Sequence, residues 1–321
     1  MLPARWLDTA LDRTVAPGFS AVGHAVRSRL PGWPADPAPD ALRGQQALVT
    51  GASSGLGIAT AAGLAALGAE VHLVVRDLAK GRRVLADLRR EIPGSSLHLW
   101  RCDLADLDDV GDLGDELLAA GHSLDVVVHN AGALPATRQE SPQGHELTMA
   151  LHVLAPVALT ERLLPILREG ARVVLVTSGG MYGQRLRDDD PDYRSGDYSG
   201  TTAYARSKRA QVELLPVLES RWSPSGVHVH ATHPGWADTP GVAESLPTFR
   251  RIVGPFLRDA VAGADTTVWL AAQSPSPAGG GLWHDRRRRP THLLPRTESS
   301  PDQVARLWSW VETETAPGRR A

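Results

Sequence analysis

The sequence predicts an α/β protein built on a doubly wound parallel sheet with helices on both faces. Three observations lead there. Short apolar runs alternate with longer stretches of helical periodicity. Several of those runs are apolar throughout, as strands covered on both faces are. The first of them runs straight into a glycine-rich turn that opens a helix. The expected strands are Gln46–Thr50, Glu70–Val75, Leu97–Arg101, Val126–His129, Arg172–Thr177 and Val227–Thr232. Helices are expected between them across Gly57–Leu67, Ala79–Arg90, Asp106–Ala120, Glu146–Leu167 and Tyr204–Ser220. A last helix, Pro301–Glu312, carries Trp308 and Trp310 to dock on the core. Ligands of such a sheet sit at the carboxyl ends of its strands.

Composition narrows the class. The chain has 321 residues, 42% hydrophobic and 22% charged, which is an ordinary globular mix. A net charge of −2 gives no reason to expect nucleic acid as a partner. The single cysteine, Cys102, excludes an internal disulfide framework and fits a reducing compartment. No apolar run approaches the roughly 20 residues of a membrane span, and Pro17, Gly18, Ser20 and His24 interrupt any signal-peptide core. A cytoplasmic chain is the expectation. Residues 1–41 read as an N-terminal helical extension ending in a proline-rich linker over 31–40, and 42–321 as a single catalytic domain. In the extension, Leu2, Trp6, Leu7, Ala10, Leu11, Val22, Val26 and Leu30 recur at helical spacing among Arg5, Arg13, Arg27 and Arg29. Such a segment either packs on the domain or touches a membrane surface.

The turn after the first strand reads Thr50-Gly51-Ala52-Ser53-Ser54-Gly55-Leu56-Gly57. Glycines here let backbone amides approach a pyrophosphate, which the following helix N-terminus stabilises. Gly51, Ser53, Ser54, Gly55, Leu56 and Gly57 are therefore candidate dinucleotide contacts in a Rossmann-type fold. Gly51-Ala-Ser53-Ser-Gly55 also fits the nucleophile elbow of a serine hydrolase using Ser53, a rival from another class. Only one strand precedes the turn, which leaves little chain for a second oxyanion loop. The second strand ends Val75-Arg76-Asp77. A carboxylate there would bond the ribose of NAD(H), whereas an arginine accommodates a 2′-phosphate. With Arg76 first, NADP(H) is favoured over NAD(H). Asp103 and Leu104 close the third strand, within reach of an adenine ring.

Further motifs follow in order. His129-Asn130-Ala131-Gly132 ends the fourth strand, Thr177-Ser178 the fifth, Tyr204-Ala-Arg-Ser-Lys208 opens a helix, and His233-Pro234-Gly235 follows the sixth strand. From Leu42 to Val311 the chain resembles the short-chain dehydrogenase/reductase family. Ser178-Gly-Gly-Met181 and the stretch from Pro234 to Val242 are close to its dehydrogenase/reductase member twelve-like branch. The resemblance implies that Asn130, Ala131, Gly132, Tyr204, Lys208, Pro234, Gly235 and Thr239 contact the cofactor. It also implies Ser178, Tyr204 and Lys208 as catalytic residues, a small carbonyl or alcohol substrate, and often a homo-oligomer. Its pattern departs at His129, where an asparagine is usual, and at His152, where the family often has an asparagine that holds a proton-relaying water. His152 is expected to substitute for it.

The chemistry asks for such a set. Hydride transfer to a ketone builds negative charge on oxygen, so a proton must be delivered there. A free tyrosine titrates near 10 and a nearby ammonium lowers that value. Tyr204 and Lys208, at i and i+4, share a helix face. Tyr182, Tyr193 and Tyr198 have no lysine four residues on. The long stretch between Ser178 and Tyr204 implies an inserted loop across Asp188–Gly200. Trp236, Leu246, Phe249, Ile252, Val253, Phe256 and Leu257 follow the Pro-Gly motif and suggest a lid over an apolar or amphipathic substrate. His228, His230 and His233 lack the partners of a tetrahedral site, so no metal is expected. The run Arg286–Arg289 reads as a solvated loop or a subunit contact. The leading function is oxidoreduction of a carbonyl or alcohol with NADP(H). The alternatives are a non-catalytic NADP(H)-binding sensor, suggested by His129 and His152, and the Ser53 hydrolase.

Overall fold

The computed structural model describes residues 2–238, 250–251 and 253–316, with backbone alone for 2–5 and 15–16. Eight strands form one sheet in the order β3-β2-β1-β4-β5-β6-β7-β8. They are β1 Gln46–Thr50, β2 Glu70–Val75, β3 Leu97–Arg101, β4 Leu124–His129, β5 Leu167–Val176, β6 His228–Thr232, β7 Gly281–His284 and β8 Arg287–Arg289. The pairings from β3 through β7 are parallel, and β8 runs antiparallel to β7. The doubly wound α/β architecture read from the sequence is therefore the fold. The order reverses between β1 and β4, which opens a crevice at the carboxyl ends of those strands.

Side-chain alternation explains why both faces are apolar. Leu48, Val127, Val173 and Leu175 point into one core layer, beneath α6 (Leu107–Ala119) and α8 (Ala155–Leu163). Ala47, Val49, Val126, Val128 and Val174 point into the other, beneath α4 (Gly55–Ala66) and a helix over Ala260–Ala271. Burying each such valine or leucine contributes about 1.5–3 kcal/mol. The remaining crossover helix on the β1–β3 side is α5 (Leu78–Glu91).

Four features depart from the sequence reading. The expected helix over Glu146–Leu167 is α7 (Leu147–Met149), a π-turn over Ala150–Leu154, and α8. Single π-turns of this kind concentrate at functional sites. The stretch Leu147–Ile166 is also long and apolar enough to cross a membrane, contrary to expectation, but 67% of its apolar window is buried inside the domain. Second, Pro216 divides the helix expected over Tyr204–Ser220 into α9 (Gly200–Glu213) and α10 (Leu215–Trp222). Third, the ordered core does not begin near Leu42: the N-terminal extension packs on the domain and supplies Phe19, 2% exposed, to the same core layer as β5.

The fourth departure is the arginine run. Instead of a solvated loop it forms the β7–β8 hairpin, whose two turn residues, Asp285 and Arg286, have φ of 50° and 54°. Left-handed turns of this kind usually take Asn-Gly. Here ion pairs over-determine the geometry. Asp285 accepts from Arg27 Nη1 at 2.7 Å and Arg258 Nη1 at 2.6 Å. Arg286 binds Asp265 and Asp36, and Arg289 binds Asp8 and Asp12. The helix α1 (Leu2–Arg13) and α3 (Ala21–Arg27) are thus riveted to the last strands of the sheet. Trp6 and Leu7, on the far side of α1, are exposed.

Asp285 pairs with two fully buried guanidinium groups, so Asp285→Ala leaves Arg258 without a carboxylate among the described residues and Arg27 with only Asp8 and Asp12. Denaturant unfolding should show a loss of about 3–5 kcal/mol. The surface pair Arg90–Asp87 is exposed on both sides, and Asp87→Ala should change stability by less than about 0.5 kcal/mol.

Candidate active site

The crevice is assembled by one threonine. Thr50 ends β1, and its Oγ1 accepts from the backbone N–H of Asn130 at 3.0 Å and of Ala131 at 3.1 Å. Asn130 returns a bond from Nδ2 to Thr50 O at 3.1 Å. The ends of β1 and β4 are so stitched together that a Cβ at Gly51, whose φ is +66°, would lie 2.8 Å from Ala131 Cα. One at Gly57 would lie 2.2 Å from Gly51 O. Ser54 is the N-cap of α4, but its side chain makes no capping bond. The turn therefore presents backbone donors at a helix N-terminus without a side chain covering them, which suits a pyrophosphate. Ser53, Gly55 and Leu56 lie along the same turn, each partly accessible.

At the next strand end, Asp77 is committed elsewhere. Its Oδ1 caps α5 by accepting from Ala79 N at 2.8 Å and Lys80 N at 3.0 Å, and those bonds hold its carboxyl below the ordinary range. Arg76 is exposed beside it. Asp103 accepts from Ala105 N at 3.1 Å and stays partly accessible, while Leu104 is buried. Cys102 is buried, and its thiol is pushed up to about 12 by desolvation and then by neighbouring aspartates. It is an inert thiol.

The candidate catalytic set meets at the end of β5. Ser178 caps a short 3₁₀ turn, accepting from Gly180 N at 3.4 Å, and its side chain lies beside the Tyr204 hydroxyl. Lys208 lies one turn further along α9, its Nζ 5.7 Å from the Tyr204 ring centre. That nitrogen donates to Val176 O at 2.8 Å. A second tie, Thr177 Oγ1 to Lys208 O at 3.1 Å, fixes α9 to the strand end. Burial pushes the Tyr204 hydroxyl up, with the Ser178 bond pulling the other way, and lowers Lys208 to about 7. The expected lowering of Tyr204 by the lysine charge is not what the structure shows. Desolvation of both groups outweighs their mutual attraction.

His152 lies in the π-turn, fully buried, edge-on to Tyr204 with ring centres 5.2 Å apart. Its Nδ1 meets Ser207 Oγ at 2.8 Å, and Ser207 Oγ donates to Tyr204 O at 2.8 Å. The serine proton is thus spent, so His152 Nδ1 carries the hydrogen and Nε2 bears a lone pair. Nε2 has no partner among the described residues, and it faces Gly132, where a Cβ would come within 2.7 Å. Burial, then the Lys208 charge, holds this imidazole well below its ordinary pKa, so it is neutral. His129, by contrast, is a core residue. Its Nε2 meets Thr160 Oγ1 at 2.9 Å and joins β4 to α8, with burial holding its pKa to about 3.

Beyond β6, Gly235 has φ of +76°, and its N–H donates to His233 Nδ1 at 2.9 Å. Trp236 N donates to Phe19 O at 2.7 Å, so the N-terminal segment braces the Pro234-Gly235 turn. A Cβ at Gly179, next to Ser178, would lie 2.9 Å from the Phe19 ring. Of the expected lid, Leu246, Phe249 and Ile252 lie outside the described residues, as does Thr239. Phe256 is half exposed and Leu257 buried. The loop over Asp188–Gly200 is anchored by Tyr198 donating to Glu146 Oε1 at 2.9 Å and by Asp192 accepting from Glu146 N at 3.0 Å. His228 faces Glu219 and His230 faces Ser276. The sequence alone gave no role to Thr50, Ser207 or Phe19. Ser207 falls inside the Tyr-to-Lys motif, but Phe19 carries no local signal.

A family model described as short chain dehydrogenase matches residues 45–248. The chain is 38% identical over 276 residues to dehydrogenase/reductase SDR family member 12 of Bos taurus, covering 84% of this chain and 86% of that protein. It is 30% identical over 273 residues to retinol dehydrogenase 12 of Homo sapiens, covering 84% and 85%. Among solved structures it resembles a short chain dehydrogenase from Salmonella enterica serovar Typhi. There the TM-score is 0.62 at 27% identity, covering 79% of this chain and all of that one.

The buried lysine makes a stability prediction independent of turnover. Its folded pKa, about 7, lies below the ordinary 10.5. Between those values the native chain binds fewer protons than the unfolded one, so this contribution becomes more favourable as pH rises. Lys208→Met should therefore be more stable than the parent at pH 6.5, by about 1–3 kcal/mol after losing the bond to Val176. Thermal melts should show that advantage shrinking towards pH 9.

Proposed function

The chain belongs to the short-chain dehydrogenase/reductase family of NAD(P)-dependent oxidoreductases, and within it we propose hydride exchange between NADP(H) and a carbonyl or alcohol. The substrate class we assign is apolar or amphipathic. The observation that carries the reading is the convergence of Ser178, Tyr204 and Lys208 at the strand end, with Lys208 Nζ 5.7 Å from the Tyr204 ring centre and donating to Val176 O. When bound, the nicotinamide supplies or accepts the hydride. Gly51 to Gly57, Asn130, Ala131, Gly132, Pro234, Gly235 and Thr239 would hold the cofactor, and Asp103 and Leu104 would border its adenine.

The chain's own groups handle the proton. Ser178 holds the substrate oxygen and Tyr204 delivers a proton to it during reduction, or removes one during oxidation. Lys208 orients the ribose and, when charged, stabilises the tyrosinate. His152 Nε2, a buried lone pair beside Tyr204, is the acceptor through which a relaying water would be held, in place of the usual asparagine. Asp77 supports NADP(H) over NAD(H), because its carboxylate caps α5 while Arg76 stands free in solvent at the ribose end. The apolar substrate rests on Trp236, Phe256 and Leu257 around the Pro-Gly turn, and on a relative named for retinol.

Tyr204→Phe should reduce turnover of a carbonyl panel by about 10²–10⁴-fold with NADPH binding, read by fluorescence titration, unchanged. Turnover that survives the substitution would overturn the mechanism. Arg76→Asp should reverse the preference between NADPH and NADH in the same titration. His152→Ala should slow turnover and shift its pH profile, with His152→Asn restoring part of the rate. Equal activity in both variants would remove the relay role.

A further inference from the structure

At the opposite end of the sheet from Ser178, where β2 and β3 begin, three imidazoles and a carboxylate converge. Glu70 and His72 are two residues apart in β2 and share a face. His98 is the cross-strand partner of His72 in β3. His122 comes from the turn between α6 and β4. The rings of His72 and His98 stack at 4.8 Å, and His122 stands edge-on to His72 at 4.4 Å. Glu70 Oε1 lies 2.9 Å from His98 Nε2 and 3.8 Å from His72 Nε2. One donor atom each from Glu70, His72 and His122 fall within 4.8 Å of one another. His72 is fully buried, yet its Nε2 has no hydrogen-bond partner among the described residues. Leaving such an atom unsatisfied costs about 1–3 kcal/mol. Nothing in the hydride chemistry uses it.

We infer that Glu70, His72, His98 and His122 form a binding site for a divalent transition metal, zinc foremost, that staples β2, β3 and the turn before β4. Imidazole nitrogens with one carboxylate suit zinc and its neighbours, whereas calcium and magnesium want oxygen ligands. Donors around tetrahedral zinc stand about 3.3–3.5 Å apart, so Glu70, His72 and His122 have about an ångström to close, and His98, outside that trio, has further to move. Glu70 and His98 have partly exposed side chains, 30% and 40%, which gives them room to move and the ion a way in.

One contact opposes coordination, and it sharpens the test. Trp100 Nε1–H donates to His72 Nδ1 at 3.0 Å, which keeps the ring hydrogen on Nε2. Coordination through Nε2 requires that hydrogen to move to Nδ1 and the indole to turn aside. The imidazole stays neutral throughout, and no oxidant or reductant is involved.

The experiment is isothermal titration of the tag-free full chain, stripped with EDTA and dialysed, with ZnCl2 at pH 7.5. The expected result is saturable binding of one ion per chain with a dissociation constant in the micromolar range or tighter. His122→Ala should weaken it by about 10-fold or more. Trp100→Phe, which removes the competing donor, should tighten it several-fold. His228→Ala, a surface imidazole paired with Glu219 elsewhere, should leave it unchanged. Zinc should also raise the melting temperature of the parent but not of a His98→Ala, His122→Ala double variant, whose metal-free melt reports whether it is folded. Absence of saturable binding, or binding that persists undiminished in a folded double variant, would overturn the site. Weaker binding by Trp100→Phe would overturn coordination through His72 Nε2.

Discussion

The candidate site rests on one costly arrangement, a lysine nitrogen held out of water under a tyrosine. Taking an ammonium from solvent is expensive, and the chain offsets only part of that cost with a single bond to Val176 O. Everything around Lys208 serves to keep it there. Thr177 ties the lysine's own carbonyl to the end of β5, and Arg209, the next residue, is fully buried and donates to Met181 O and Thr291 O. The same strand end supplies Ser178 one residue beyond Thr177. A strand, a turn and a helix face are thus locked in register, and the hydroxyl pair inherits its geometry from that lock.

The other wall of the crevice is braced from a distance. Phe19 lies edge-on to His233 with ring centres 4.3 Å apart and touches the turn after Ser178 through Gly179. Its carbonyl accepts from Trp236 N and from Arg258 Nε. The Pro234-Gly235 turn therefore leans on the N-terminal segment rather than on the sheet alone. Asp285 closes this arrangement by binding Arg27 from that segment and Arg258 from the chain after β6. Buried ion pairs add little net stability compared with apolar packing, but they fix which elements meet. Here they hold the N-terminal helices against the two strands that complete the sheet.

How much of this was legible in the sequence follows from the range of each interaction. Strands β1 to β6 and the glycine turn are local patterns of apolar runs and strand-to-helix spacing, and their bounds agree within two residues except at β5, which begins five residues before the expected Arg172. Tyr204 and Lys208 are four apart, so their shared face was also readable. The β7–β8 hairpin was not, because its turn is Asp285-Arg286 instead of a glycine pair and its strand is Arg287–Arg289. Those arginines look solvated until Asp8, Asp12 and Asp36, some 250 residues upstream, are placed beside them. The cluster of Glu70, His72, His98 and His122 escaped for the same reason, since parallel pairing and not sequence spacing brings its members together. The π-turn at Ala150–Leu154 has no compositional mark at all.

That π-turn bears on how a histidine comes to stand where the family often has an asparagine. A π-turn inserts a residue and breaks the regular ladder, so side chains in it are re-aimed. In this chain it directs His152 towards Gly132 at the end of β4, where no larger residue fits, since a Cβ there would lie 2.7 Å from Nε2. Its backbone carbonyl is already taken, accepting from Gln211 Nε2 at 2.6 Å. A relay built on that carbonyl has at most one lone pair left, whereas the ring offers Nε2 with no partner among the described residues. The tautomer is not free to vary, because Ser207 spends its proton on Tyr204 O and so requires a donor from Nδ1. The helix that carries the tyrosine thereby sets the protonation of the histidine beneath it. On the proposed relay, histidine in place of asparagine does not by itself remove an acceptor from the site; it moves the acceptor from an amide oxygen to an imidazole nitrogen kept neutral by burial.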